Sequence, residues 1–277
     1  MHLAYSAVPI DSEPNSLQSD ANKIAHPVLI CLLGGFRVLK TGKLVPGANT
    51  GKMEILLRYL ALHYGHPVPR ETLLYAVWPE TDRVQASQSL NSLVYSLRKL
   101  LRDETGDIAP VRQTEGYYEL NSEAGVGVDV VCFDRLADTG AWQVQVGNMP
   151  AAIATYTTAV SLYRGDLCTG GDVTDVIERE RLRARYLSLL ANLADYYYSM
   201  ANYAAALNYA GRLLAYDPYR EDAYRVLMRC YVRRGERAQA FRQYRLCQAV
   251  LQAEFNAGPE AATTDLYEQI RLDPGSV

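Results

Sequence analysis

The stretch that decides the fold runs from Arg83 to Arg102 and reads RVQASQSLNSLVYSLRKLLR. Leu90, Leu93, Val94, Leu97, Leu100 and Leu101 recur at the 3.6-residue period, which predicts a helix with one apolar stripe turned to a core. At about 100° per residue, the opposite face carries Gln88, Ser92, Tyr95, Lys99 and Arg102, flanked by Asn91, Ser96 and Arg98. On the C-terminal side, Ile108–Gln113 and Tyr117–Asn121 are β-rich runs joined by Glu115-Gly116, a hairpin signature. On the N-terminal side, two short β-rich runs, Val28–Leu33 and Phe36–Lys40, meet at Gly34-Gly35. A helical period then covers Lys52–Tyr64, and a shorter helix covers Glu71–Val77 and stops at Trp78-Pro79. Strands, three helices and a terminal hairpin together predict a winged helix-turn-helix over residues 27–121. Residues 1–26, rich in Ser, Asn, Asp and Pro without a period, read as a mobile N-terminal extension.

Beyond residue 121 the texture becomes helical and rich in tyrosine. Gly147, Ala152 and Tyr156 stand at offsets 0, 5 and 9; Ala201, Ala206 and Ala210 repeat the offsets, and so do Gly235, Ala240 and Tyr244. The second and third copies lie 34 residues apart, the period of tetratricopeptide helix pairs. The fold class expected is therefore mainly α: a winged helix-turn-helix (α+β) domain followed by an all-α tetratricopeptide-like domain over residues 122–277.

Composition narrows the function. At 277 residues and 49% hydrophobic, the chain has enough apolar material for about two domains. The longest apolar run, Val28–Leu33, is far short of the ~20 residues of a membrane helix, and no basic segment leads into a long apolar one, which argues against a membrane partner and against a secretory signal. The five cysteines include no Cys-x-x-Cys pair, which favours packed thiols in a reducing cytoplasm over a disulfide framework or zinc ribbon. The net charge is −3, but residues 27–120 carry 11 basic and 9 acidic side chains, and all five lysines lie at or before position 99. Only the first domain leans basic.

Catalytic chemistry finds little footing. Gly47–Met53 resembles a phosphate loop but is one residue short between its glycines and has methionine at the magnesium-binding position. His63-x-x-His66 has no third ligand near it. The run from Glu178 to Arg185 reads as the solvated face of a long helix with i, i+3 and i, i+4 pairs. Tyr196, Tyr197, Tyr198, Tyr203 and Tyr209 either pack between helices or line a ligand or peptide groove, and a small-molecule or nucleotide effector is an open partner of the helical part. No catalytic residue, cofactor or metal is expected.

The outer face of the helix from Arg83 is different in kind. Gln88, Asn91 and Ser92 are residue types that hydrogen-bond base edges, and Tyr95 suits a thymine methyl or a phosphate. Arg98, Lys99 and Arg102, toward its C-terminal end, suit phosphates. Arg112, Gln113 and Thr114, at the hairpin, are placed where a wing reaches the minor groove or backbone. These ten residues are the candidate interface with double-stranded DNA. The rival reading is a tetratricopeptide-type adaptor whose winged helix does not bind DNA, an option raised by the small positive charge of the domain.

The order of motifs resembles the SARP-type (antibiotic regulatory protein) bacterial transcriptional activators. The resemblance is carried by Leu33-Gly34-Gly35-Phe36-Arg37-Val38, Leu60-Ala61-Leu62, Leu74 to Pro79, Val94 to Leu101, Gly116-Tyr117 and Val128-Asp129-Val130 with Phe133. It continues through Asp217 to Tyr224, Leu227-Met228, Pro259 and Leu266-Tyr267. The resemblance implies a response-regulator-type winged helix followed by a bacterial transcriptional activator domain. It also implies sequence-specific DNA binding as a homodimer on direct repeats and activation through contact with RNA polymerase. By position, the family's recognition helix begins near Arg83, the polymerase-facing loop is Pro79–Asp82, and Arg98 and Lys99 match its basic pair. One departure concerns the wing: the family often places arginine after Gly116-Tyr117, and here Tyr118-Glu119 follow.

Overall fold

Val28–Cys31 (β1) is buried at every residue, as a strand flanked on both sides must be. In the computed structural model, which describes residues 26–48, 51–105, 108–168 and 173–277, β1 is an inner strand of a four-stranded sheet. It pairs antiparallel with Arg37–Lys40 (β2), which pairs with Lys43–Leu44 (β3) across the Thr41-Gly42 turn. Its other edge pairs parallel with Val126–Val128 (β7). That pairing joins residues nearly one hundred positions apart and has no local signature in the sequence. The expected extension at residues 1–25 and residues 49–50 of the Gly47–Met53 loop lie outside the described residues.

Three helices come after β3 in the chain: Gly51–Leu62 (α1), Arg70–Val77 (α2) and Arg83–Thr105 (α3). Leu90, Val94, Leu97 and Leu101 of α3 are at most 3% exposed, so the stripe read from the sequence is the buried face. Burial of each such side chain is worth roughly 1.5–3 kcal/mol. Asp82 starts the helix: its Oδ1 accepts from Val84 N at 2.9 Å and from Gln85 N at 3.4 Å. The hairpin is Val111–Thr114 (β5) and Tyr117–Leu120 (β6), with Val68–Pro69 (β4) added on the far side of β6. Glu115 and Gly116 both have positive φ, the geometry of a tight two-residue hairpin turn. Ile108, expected in the strand, precedes it.

The helical part comprises Asp129–Gln145 (α4), Met149–Leu162 (α5), Val173–Ser199 (α6), Tyr203–Tyr216 (α7), Glu221–Arg233 (α8), Arg237–Phe255 (α9) and Ala261–Leu272 (α10). The repeat read from the sequence has a backbone counterpart. Gly147, Ala201 and Gly235 all sit at positive φ just past a helix end. In each copy the N–H of that residue donates to a carbonyl three residues back, and the next N–H to one five residues back, a Schellman turn repeated three times. Ala152, Ala206 and Ala240 are fully buried where the following helix approaches its neighbours. The five tyrosines named above pack ring on ring, with Tyr197 stacked on Tyr209 at 5.5 Å and Tyr198 tilted on Tyr203 at 5.9 Å.

By contacts, the chain divides into two units: residues up to Asp138 with Ser161–Val176, and Thr139–Val160 with Ile177–Val277. The first unit thus runs past residue 121. One reason is the parallel pairing of β7 with β1. Another is Asp129 at the start of α4. Its Oδ1 accepts from Leu32 N at 2.8 Å and its Oδ2 from Leu33 N at 2.9 Å, all three residues being buried. A further link is Leu167, which bridges Leu33.

Candidate nucleic-acid interface

With Leu90, Val94 and Leu97 buried, helical geometry turns Gln88, Asn91, Ser92, Tyr95 and Lys99 outward, and all five are exposed, Tyr95 at 70%. Their local bonds decide what each can offer a ligand. Ser92 Oγ donates back to Gln88 O at 3.2 Å, so its proton is used within the helix and its lone pairs face out. Asn91 Oδ1 accepts from Arg70 Nη2 at 3.0 Å, which fixes the amide and leaves its NH2 group to donate. The Lys99 amine has no bonded partner among the described residues. Arg102 lies within α3, and its side chain is outside the described set.

Two of the expected cations are committed elsewhere. Arg98 Nη2 donates to Val111 O at 3.1 Å from a half-buried position, tying α3 to the base of the hairpin. Arg112 faces Glu119 across the hairpin, with 3.4 Å between charged atoms, and also bonds Glu123 at 2.9 Å and Asn121 Oδ1 at 3.1 Å. Both residues thus hold the wing in place. Gln113 and Thr114, next to the turn, are exposed.

Arg70 is a residue that pattern reading passed over. Its guanidinium reaches Ser87 O at 2.8 Å, Ser87 Oγ at 2.7 Å, Asn91 Oδ1 at 3.0 Å and the Tyr118 hydroxyl, while its backbone N–H donates to Gly116 O at 2.8 Å. One residue therefore sets α3, the wing turn and β6 against each other, the turn through its backbone and the other two through its side chain. Its position just after Pro67-x-Pro69 was the available signal, but nothing local names its partners.

Elsewhere the chemistry is quiet. His63 stacks on Tyr59 at 4.5 Å, and its Nδ1 lies 2.9 Å from the Tyr59 carbonyl. Among the described residues, no three His, Cys, Asp or Glu side chains gather as a metal site. Burial pushes the Cys31 and Cys247 thiols up to about 12 and Cys230 up to about 11, so they stay protonated at neutral pH, as core thiols do. Within the run from Glu178 to Arg185, Arg181 pairs with Glu178 at 2.7 Å and Arg183 with Glu180 at 4.0 Å, both at i, i+3 on a solvated face. No helix of the described residues is long and apolar enough to cross a membrane.

A long helix with an outward polar face, held beside a hairpin wing and followed by helical repeats, defines a transcription-regulator architecture. Known proteins carry the same plan. Residues 48–118 match the family described as transcriptional regulatory protein, C terminal, and residues 128–271, more than half of the chain, match the bacterial transcriptional activator domain. Regulatory protein DnrI of Streptomyces peucetius is 26% identical over 225 residues, covering 78% of this chain and 82% of the relative. Regulatory protein AfsR of Streptomyces griseus is 24% identical over 248 residues, covering 89% of this chain, which spans 25% of that longer protein. The solved structure of Mycobacterium tuberculosis EmbR in complex with a low-affinity phosphopeptide shares the fold, with a TM-score of 0.63 at 22% identity over 90% of this chain and 67% of that one. The chain belongs to the SARP-type bacterial transcriptional activators, a family of regulators rather than enzymes.

Proposed function

We propose that this DNA-binding transcriptional regulator reads its site through α3 in the major groove. Gln88, Asn91, Ser92 and Tyr95 meet base edges, and Lys99 with Arg102 meets phosphates. Gln113 and Thr114 carry the wing contact, while Arg98 and Arg112 act by holding the hairpin. The observation that carries this reading is the five-residue exposed face of α3, clamped to the wing by Arg70. Asp82 at the N-terminus of α3 disfavours a phosphate there, which supports a reading with the backbone contacts toward the C-terminal half.

In this account, the chain acts as a homodimer in the cytoplasm and activates by presenting the Pro79–Asp82 loop to RNA polymerase. The division of labour follows residues 27–121 for DNA and 122–277 for dimerisation and partner or effector recognition. Substitution separates the roles. Gln88→Ala should cost ~1–3 kcal/mol on the cognate duplex and little on scrambled DNA. Equal losses on both duplexes would remove Gln88 from base reading.

A further inference from the structure

Three of the chain's five lysines, Lys40, Lys43 and Lys99, line one open groove of about 690 Å3 on the winged-helix unit. It lies between the β2–β3 turn and the C-terminal half of α3. Thr41 and Ser96 add hydroxyls, Leu100 contributes apolar surface, and none of the described lining residues is acidic. The two walls are tied together, since Lys40 Nζ donates to Leu100 O at 3.3 Å. The turn is itself pinned by Thr41 N–H to Pro27 O at 2.8 Å. Lys43 is exposed, and its amine, like that of Lys99, has no hydrogen-bond or ion-pair partner among the described residues.

The two flanks of α3 differ in charge. On the hairpin flank, Arg98 is bonded to Val111 and Arg112 is neutralised by Glu119 and Glu123. On the other flank, at helical spacing, stand Ser96 and Leu100, where α3 forms one wall of the groove. Lys99 belongs both to the outward face of α3 and to this groove.

We propose that the groove seats the sugar-phosphate backbone of the duplex, with Lys43 and Lys99 on successive phosphates and the β2–β3 turn acting as a second arm opposite the wing. The proposal rests on the DNA reading of α3 given above. Charge complementarity favours a polyanion, and continuity with the α3 face favours the duplex lying on that face over an acidic peptide.

The test is the salt dependence of binding by the full chain carrying Lys43→Ala or Lys43→Arg, on a duplex from the gene's upstream region and on a scrambled one. A thermal melt by circular dichroism checks that each variant is folded. Loss of one phosphate contact lowers the log–log salt slope by about 1 on both duplexes. The Lys43→Ala deficit should therefore be ~3- to 4-fold larger at 50 mM than at 200 mM salt, and Lys43→Arg should restore it. If the parent chain binds and Lys43→Ala keeps its affinity and slope, the groove does not hold DNA, although the α3 reading stands. A loss confined to the upstream duplex with the slope unchanged would overturn the phosphate assignment in favour of a base contact. Absence of salt-dependent binding by the parent chain would sink both readings.

Discussion

Asp129→Asn is the substitution that tests the frame holding the site. Asp129 is 1% exposed, and its carboxylate accepts from the buried Leu32 and Leu33 amides and from Val130 N. Burial pushes its pKa up to about 6, while the three N–H donors and Arg37 pull the other way. The folded chain therefore binds this proton more readily than the unfolded chain, whose carboxyl titrates near 3.8. The resulting stability is fully present below about pH 4 and is lost as the pH rises through 6. From pH 7.5 to pH 4.5 the gain is about 2 kcal/mol, since pH 4.5 lies about 1.5 units below the folded value at about 1.4 kcal/mol per unit.

Asparagine removes the titration and turns an NH2 group toward one of the amides, leaving a buried donor unpaired at a cost of ~1–3 kcal/mol. Urea unfolding followed by circular dichroism at both pH values measures the parent and the variant. The variant should be less stable by ~1–3 kcal/mol at pH 7.5, and the gap should widen by about 2 kcal/mol at pH 4.5. Taking the difference between the two chains cancels other titrating groups, such as Asp195, whose pKa burial also raises. A gap that stays constant or narrows on acidification would refute the buried-carboxylate argument, and a variant more stable at pH 7.5 would refute the clamp.

Three further outcomes follow from the same geometry. Ala201 holds at φ +55° a turn that glycine occupies in the other two copies, so Ala201→Gly should raise stability by ~0.5–1 kcal/mol, read as a higher thermal midpoint; a lower midpoint would contradict the repeat assignment. Arg70→Ala should lower both the melting temperature and the ratio of cognate to scrambled binding, because it frees Ser87, Asn91 and Tyr118 together; an unchanged ratio would show that the bracket does not position the reading face. Arg98→Ala should cost stability without moving the salt slope, whereas Lys99→Ala should lower the slope by about 1 and leave stability alone, and the opposite pattern would reverse the roles given to the two neighbours.

The parts of the fold legible in the sequence are those with a local period. The α3 stripe and the Glu115-Gly116 hairpin depend on residues within a few turns of one another, and each copy of the repeat is a pattern confined to ten residues. The β7 strand is only Val-Gly-Val and forms because β1 presents an edge to it, so no window around residue 127 could announce it. The Asp129 clamp is hidden for the same reason: its partners lie 96 and 97 residues away. At the interface, the side chains facing outward followed from helix geometry, but the commitments of the cations did not. The cross-strand pairing of Arg112 with Glu119 could have been read from the two-residue turn, which fixes the register. Arg98 sits at the edge of the buried face, where only the position of the hairpin decides whether it turns to solvent or to Val111. Lys40 and Lys43 flank their turn in plain view, yet their convergence with Lys99 is tertiary.

The most direct measurement is fluorescence anisotropy of the full chain on a labelled duplex from its gene's own upstream region, beside a scrambled duplex, at 50 and 200 mM salt. The account predicts tight binding to one duplex, weaker binding to the other, and a steep loss of both with salt. Equal, weak and salt-independent curves on every duplex tried, genome-wide selections included, would contradict DNA reading by α3.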